Sequence, residues 1–304
     1  MEFLQFLSGI RTPAGDILFQ GITYLAQEFF VVGVICWLFW CADKKLAYSL
    51  GFAYFTSGLM VQGLKITFRI PRPWILDPEF TPVASAVSGA TGYSFPSGHT
   101  QSITSLFGTL ALHWKKVWAK ILCFILIFAV MFSRMYLGCH TPKDVGVSFA
   151  VTMVCVLINY YFFYGKPKEA SEKDADLLSG HESTVALIMG AACLFLTVYA
   201  LLLEHRGVIE LIYAQDCLKA SGAGMAFALG FYVEKRRIRF DIPRTLKGKI
   251  IRMIVGLAAA LLLLEGIKPV IGASLPASWF RYFITVFWIV ILYPALFTAK
   301  SSKI

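Results

Sequence analysis

The chain has 304 residues, of which 58% are hydrophobic and only 15% are charged. A soluble domain is usually about 45–50% apolar and about 25% charged, so the composition excludes an ordinary soluble protein and predicts a polytopic membrane protein. The formal net charge is +10, but the basic residues cluster in alternate loops. That pattern is typical of membrane topology rather than of nucleic-acid binding.

The order of apolar and polar stretches predicts an all-α fold, a transmembrane helical bundle. The pattern of residues 1–20 predicts an amphipathic helical segment lying at the membrane interface. The helix is predicted to break and restart at Thr12 and Pro13. About nine apolar runs follow, most of them close to the roughly 20 residues that a helix needs to cross a bilayer. The predicted spans are 21–41, 47–67, 99–114, 117–133, 145–164, 184–203, 217–233, 251–272 and 279–298.

These runs divide the chain into four predicted segments. They are an interfacial segment at 1–20, a catalytic membrane core at 21–165, a cytoplasmic loop at 166–183 and a C-terminal transmembrane extension at 184–304. One set of alternate loops carries 18 Lys and Arg, and the opposite set carries 10. Because cytoplasmic loops hold the excess of these residues, the N-terminus is predicted to lie outside and the C-terminus inside.

Three polar stretches interrupt the apolar runs, and the predicted topology places all three on the outer face. Charged groups at a membrane boundary are costly and therefore indicate a functional site. The first stretch contains Lys65 and Arg72. A compact ammonium and a planar guanidinium together suit the oxygens of a tetrahedral anion. Snorkelling at the end of a span is the alternative interpretation of Lys65.

The second stretch, Pro96-Ser97-Gly98-His99, stands at the entry to the third predicted span. A helix N-terminus binds anions through its backbone N–H groups, and Gly98 lets a ligand approach the backbone closely. N-capping by Ser97 is the alternative. Capping does not explain His99, which is placed where an acid reaches a leaving oxygen.

The third stretch, residues 133–144, contains Arg134, His140 and Asp144 between two long apolar runs. We interpret His140 as a nucleophile and Arg134 as a phosphate clamp. Asp144 follows His140 by four residues, close to one helical turn, and a carboxylate there holds the second nitrogen of the imidazole. Residues 141–144 also match a capping box with proline at the first helical position, and both roles are compatible.

Together, the three stretches resemble the signature of the type 2 phosphatidic acid phosphatase superfamily, which also contains the vanadium haloperoxidases. That signature is K-x6-RP, then PSGH, then SR-x5-H-x3-D, and every specified position is matched within residues 47–165. The resemblance implies a six-helix-type phosphatase core and a phosphohistidine on His140. It implies three catalytic residues, His140, His99 and Asp144, and five phosphate ligands, Lys65, Arg72, Ser97, Gly98 and Arg134.

The same resemblance implies no cofactor and no metal, since the basic side chains hold the developing charge. The leading interpretation is an integral protein of the cell membrane, surrounded by membrane lipids. It would hydrolyse a lipid phosphate or a polyprenyl diphosphate on the non-cytoplasmic face. The extra C-terminal spans also resemble glucose-6-phosphatase, so a phosphatase of soluble sugar phosphates is one alternative, and a lipid phosphotransferase is another.

Two further features carry expectations. The loop 75–95 carries Asp77, Glu79 and many small residues, and it is a candidate lid or headgroup selector. Glu265 and Lys268 lie three residues apart within the eighth predicted span. We expect them to form an internal ion pair, since residues at this spacing share one face of a helix.

Overall fold

The structure, a computed structural model, describes residues 1–165, 178 and 180–301, with the backbone alone described for 298–301. This part of the chain is helical with connecting loops and contains no strand, which confirms the all-α prediction for it. Most of the predicted cytoplasmic loop 166–183 lies outside the described residues, as does the end of the chain at 302–304.

The helices follow one another with short connections in most of the described chain. They are α1 (Glu2–Gly9), α2 (Pro13–Thr23), α3 (Glu28–Trp37), α4 (Lys44–Phe68), α5 (Pro73–Leu76), α6 (Ala84–Val87), α7 (Gly98–His113), α8 (Val117–Tyr136), α9 (Pro142–Tyr164), α10 (Glu182–His205), α11 (Leu211–Val233), α12 (Leu246–Leu261), α13 (Lys268–Ile271), α14 (Leu275–Phe287) and α15 (Tyr293–Ser301). A 3-10 turn continues α2 over Tyr24–Ala26, and π-helical turns occupy Leu38–Ala42, Glu234–Ile238, Leu262–Gly266 and Trp288–Leu292.

Several of these helices are long and apolar enough to cross a membrane. Within the described residues there are five, and up to six if the bent pair Pro13–Ala26 and Glu28–Ala42 is one span. This supports an integral membrane protein. Each predicted apolar run falls on helical residues, the first of them on the bent pair. Helix α7 has only 16 residues, and α4 and α11 are not among the five. The count of nine spans therefore stays a prediction.

The N-terminal helices restart where the sequence predicts and bend where it does not. The Thr12 hydroxyl accepts a hydrogen bond from the Gly15 N–H at 3.1 Å, and Pro13 takes the first helical position. Helix α2 then runs on through residue 20 without a break. The chain instead bends by 43° around Gln27, which is extended at φ −70° and ψ 147°.

Two compact units make up the chain. The first unit consists of Met1–Val32 and Met60–Ile158, and the second of Gly33–Leu59 and Asn159–Ile304. In the first unit α2, α7, α8 and α9 share an apolar core. Its fully buried members are Ile103, Ile127 and Val130, with Ala26 and Val145 beside them. Its members Ile103, Val130 and Val145 lie within four residues of His99, Arg134 and Asp144 along their helices. The predicted domain boundaries at 20, 165 and 183 remain predictions.

The second unit is held by close helix packing and a buried ion pair. An added Cβ at Gly222 or Gly230 of α11 would collide with the Trp279 backbone or the Val290 side chain, so small residues are needed at these helix contacts. The Glu234 carboxylate accepts from Lys44 Nζ at 2.7 Å and from the Tyr48 hydroxyl at 2.8 Å. These contacts are structural.

The expected ion pair within the eighth predicted span is wrong. Glu265 and Lys268 are both exposed, and they form no ion pair with each other in this part of the described chain. The physical reason is local. Glu265 lies in the π-helical turn Leu262–Gly266 and Lys268 begins the separate helix α13, so the two do not share the face of one regular helix.

Candidate active site

All eight predicted site residues belong to the first unit, and they cluster at helix ends. Helix termini leave backbone groups unsatisfied and available to ligands. The residues are Lys65 in the last turn of α4, Arg72 directly before α5, Ser97 as the cap of α7, Gly98 and His99 at the start of α7, Arg134 in the last turn of α8, His140 in the link to α9, and Asp144 in the first turn of α9.

The link between α8 and α9 turns sharply at Gly138. This residue has φ +80°, and an added Cβ would lie 2.8 Å from Arg11 Nη2 and 2.9 Å from the Phe80 ring. Glycine is therefore required both for the backbone conformation and for the close approach. Beyond the turn, the N–H groups of Cys139 and His140 donate to the Arg134 carbonyl at 3.0 and 3.3 Å. The turn thus places His140 next to the end of α8.

The His140 imidazole is 1% exposed and is held in one tautomer. Arg72 Nη1 lies 2.9 Å from His140 Nε2. Since arginine can only donate, Nε2 accepts and presents a lone pair, and the ring proton resides on Nδ1. Burial, and next the positive charge of Arg72, lower the pKa of His140 well below its usual range, against the opposing effect of Asp144. The ring is therefore neutral, as a nucleophile must be.

The Asp144 carboxylate both caps α9 and lies beside the His140 imidazole. Its Oδ2 accepts from the Thr141 N–H at 2.8 Å, and the Thr141 hydroxyl accepts in return from the Asp144 N–H at 3.4 Å, which confirms the capping box. The same Oδ2 lies 3.7 Å from His140 Nδ1, an ion-pair distance that is too long for a hydrogen bond. It also accepts from the Ser94 hydroxyl at 2.7 Å. The carboxylate is thereby held beside the imidazole.

Lys65 and Arg72 are buried, with 6% and 5% of their surfaces exposed, and backbone carbonyls position them. Lys65 Nζ donates to the Tyr93 carbonyl at 2.6 Å. Arg72 donates to the carbonyls of Gly92 at 3.0 Å, Thr91 at 2.6 Å and Cys139 at 3.1 Å. Lys65 therefore points into the protein and does not snorkel, and the end of loop 75–95 orders both cations.

Arg134 is 2% exposed and only partly satisfied. Its Nη1 donates to the Thr23 hydroxyl at 3.2 Å. Its Nε and Nη2 are buried without a hydrogen-bond partner in the described part of the chain. Buried donors without partners are costly, and Nε and Nη2 form one edge of the guanidinium, the edge that binds two oxygens of a phosphate. The open edge of the Arg134 guanidinium matches the geometry of an oxyanion.

The start of α7 adds an open space beside the backbone. The Ser97 hydroxyl accepts from the Thr100 N–H at 3.3 Å, which confirms N-capping, and the hydroxyl keeps its own hydrogen for donation. The Ser97 N–H donates to the Asp144 carbonyl at 3.2 Å and ties α7 to α9. A Cβ added to Gly98 would find no atom within 4 Å. A ligand oxygen therefore has room to approach the first turn.

His99 completes the cluster. It is half-buried at the second position of α7. Its electrostatic neighbours are the side chains of Arg134, His140, Arg72 and Lys65, so the three polar stretches meet in one place. This arrangement brings together an imidazole whose Nε2 accepts a hydrogen bond, a second imidazole and three buried cations.

Two residues of this cluster were missed by the sequence analysis. Ser94 is fully buried and bonds to a carboxylate 50 residues away. Thr23 is 1% exposed and bonds to an arginine 111 residues away. Ser94 stands two residues before the second polar stretch, which is a weak signal. Thr23 stands in an apolar run, where a lone threonine usually bonds within its own helix.

Among the described residues, no group of three His, Cys, Asp or Glu side chains is arranged to hold a metal ion. The seven cysteines are all buried and free of disulfides. The positive charge in the site comes from lysine and arginine.

Two family models match the chain. One describes the PAP2 superfamily and matches residues 46–168, which include the whole cluster except Thr23. The other describes the transmembrane extension of PAP2 superfamily phosphatases and matches residues 218–302. Searches of curated proteins and of solved structures return no match. The two matched ranges together cover more than half of the chain, and the protein belongs to the PAP2 superfamily as an integral membrane member.

Proposed function

We propose that this membrane phosphatase hydrolyses a lipid phosphate or a polyprenyl diphosphate through a phosphohistidine on His140, without a metal. The observation that carries the proposal is the pairing of a neutral imidazole with buried cations. His140 Nε2 accepts from Arg72 at 2.9 Å, and Arg134 has a buried guanidinium edge without a partner in the described chain. Such a site attracts a phosphate and can attack it.

The first chemical step transfers the phosphoryl group to the enzyme. The phosphate engages Arg134 and Arg72, which frees the lone pair of His140 Nε2 for attack on phosphorus. The P–N bond forms as the P–O bond to the leaving group breaks, and His99 donates a proton to the leaving oxygen. Nδ1 keeps its proton, and Asp144 stabilises the positive ring.

The second step releases phosphate. His99, now neutral, takes a proton from water as the water oxygen attacks phosphorus. The P–N bond breaks, the electron pair returns to His140 Nε2, and His99 is again protonated. Lys65, Arg72, Arg134, the Ser97 hydroxyl and the Gly98 N–H hold the charge on the equatorial oxygens in both steps. Preorganised donors of this kind commonly supply the largest part of the rate enhancement.

Exposed apolar side chains near Arg72 favour a lipid substrate. Phe68, Ile75 and Leu76 lie within four residues of Arg72 in the chain, and they have 56%, 60% and 51% of their surfaces exposed. Apolar residues around a phosphate site suit an acyl or prenyl chain, whereas a sugar needs hydrogen-bonding groups. The distribution of Lys and Arg supports the non-cytoplasmic face as the location of the site.

A substrate panel tests the proposal. The purified protein in detergent, with EDTA present, is expected to release phosphate from at least one lipid phosphate or polyprenyl diphosphate, with inhibition by vanadate. Preference for a soluble sugar phosphate would instead favour the sugar phosphatase alternative. Formation of a phosphorylated product with an added acceptor alcohol would favour a phosphotransferase. Loss of activity in EDTA that added Mg²⁺ restores would contradict the metal-independent mechanism.

Ser94→Ala is expected to lower kcat by roughly 10- to 100-fold, the usual effect of losing a hydrogen bond to a charged group. The variant removes the donor at 2.7 Å from Asp144 Oδ2, so the carboxylate is less well held against the imidazole. Ser102→Ala is a matched control, because Ser102 is also buried but makes only a 3.5 Å contact to Gln101. Equal kcat values for the two variants would show that Ser94 has no part in orienting Asp144.

The acid limb of the pH profile should lie below the usual histidine pKa of about 6.5. Protonation of Nε2 removes the nucleophilic lone pair, so kcat/KM falls as the pH drops through the pKa of His140. Burial and Arg72 lower that pKa, so activity persists into mildly acidic solution. Arg72→Gln removes one cause and should move the limb to higher pH with the same substrate. An unchanged limb in Arg72→Gln would contradict this assignment.

A further inference from the structure

We propose that Thr23 is a positioning residue that holds the Arg134 guanidinium with its open edge toward the substrate phosphate. The inference rests on the proposed function. Thr23 ends α2, in the N-terminal segment that precedes the matched range 46–168. The segment thereby supplies a part of the site that the family model does not cover.

The contact itself fixes which edge of the guanidinium remains open. Arg134 Nη1 donates to Thr23 Oγ1 at 3.2 Å, and both side chains are almost fully buried. Nε and Nη2, which share the other edge, have no partner within the described chain. A threonine that served only to satisfy a buried arginine would be accompanied by partners for these two atoms. Two neighbouring donors without an acceptor point to an anion as their partner.

Helix α2 is anchored at both ends: its start contacts the end of α8, and Ile22, next to Thr23, packs against the apolar core of the first unit. Arg11 Nε donates to the Tyr136 carbonyl at 2.8 Å, and the Thr12 N–H donates to the Tyr136 hydroxyl at 3.0 Å. The Phe19 and Tyr136 rings pack with their centroids 4.3 Å apart. Tyr136 lies two residues after Arg134, so these contacts hold α2 against the part of α8 that carries Arg134. An arginine side chain that is already fixed at Nη1 loses less conformational entropy when it binds phosphate.

Thr23→Val keeps the shape of the side chain and removes the acceptor. We expect kcat/KM to fall roughly tenfold, a typical consequence of losing one hydrogen bond to a charged group, and the inhibition constant for vanadate to rise. Thr23→Ser keeps the hydroxyl and should restore both values. Thr109→Val is the matched control, because Thr109 is 1% exposed and its hydroxyl has no hydrogen-bond partner among the described residues.

A double-mutant cycle with Arg134→Lys identifies the route of the effect. Lysine cannot make the two-point contact, so Thr23→Val should have little further effect in that background. The same tenfold loss in both backgrounds would overturn the inference, and so would a Thr23→Val protein that behaves like Thr109→Val. Thr23→Ala replaces Thr23→Val if the latter does not fold, with folding checked by thermal unfolding in detergent.

The outcomes separate this inference from the proposed function. If Arg134→Lys is impaired but Thr23→Val is not, only the role of Thr23 fails. If Arg134→Lys hydrolyses the substrate as well as the wild type, the phosphate clamp itself fails. If the wild type acts on no phosphate ester or diphosphate, the proposed function fails and the cycle has no basis.

Discussion

His140→Ala is expected to lower kcat by on the order of 10⁴-fold or more, since removal of a nucleophile commonly costs that much or more. In the proposed mechanism the attacking atom is His140 Nε2, whose lone pair accepts from Arg72 at 2.9 Å until phosphate engages the arginine. The measurement is phosphate release from the best lipid substrate. A second measurement uses substrate labelled with radioactive phosphate and a quench in alkaline denaturant, followed by a search for a protein-bound phosphohistidine that is stable to alkali and is lost on treatment with acid.

The control for this experiment is His113→Ala. His113 is the last residue of α7, at the opposite end of that helix from His99, and it should leave both kcat and labelling unchanged. Labelled phosphoenzyme in His140→Ala at the wild-type level would remove His140 from the role of nucleophile. Rapid hydrolysis without any labelled intermediate in the wild type would instead indicate direct attack by water.

His99→Ala is expected to lower kcat for alkyl phosphates by about 10²- to 10⁴-fold, the usual contribution of a general acid and base. A para-nitrophenyl phosphate needs little protonation of its leaving oxygen, so its first step should be nearly as fast as in the wild type. The second step still lacks its base. The variant should therefore show a burst of nitrophenol equal to the enzyme concentration, followed by slow turnover.

This leaving-group test separates chemistry from structure. A collapsed site would slow both substrates equally and give no burst, and thermal unfolding would report the collapse. Equal losses for the alkyl and aryl phosphates in a stably folded His99→Ala protein would show that His99 does not protonate the leaving group. A burst that is lost in His99→Ala combined with His140→Ala would link the burst to the phosphoenzyme.

Much of the architecture could be predicted from the sequence, since local patterns specify it. The apolar runs predicted helices because only long apolar helices satisfy their backbone groups inside a bilayer. The caps were equally local: Thr12 before Pro13, Ser97 before α7, and the box of Thr141 and Asp144 all lie within a few residues of the groups that they satisfy. The three polar stretches were identified from charged residues that stand between apolar runs.

Predictions from residue spacing fail where a helix is irregular. Glu265 and Lys268 have the spacing of an ion pair on a regular helix, yet a π-helical turn separates them from that geometry. The sequence around Gln27 likewise contains no proline or glycine that would predict the bend. Residue spacing alone assumes a regular helix, so it predicts neither the π-helical turn nor the bend.

Local patterns in the sequence therefore predicted the helices, their caps and the residues of the candidate site. The orientation of those side chains depends instead on contacts between distant segments of the folded chain. Ser94 holds Asp144 across 50 residues, and Thr23 holds Arg134 across 111. Backbone carbonyls of residues 91–93 direct Lys65 and Arg72. The physical reason is that a carbonyl oxygen is the same in every residue and that contacts between distant segments leave no periodic pattern in a single chain.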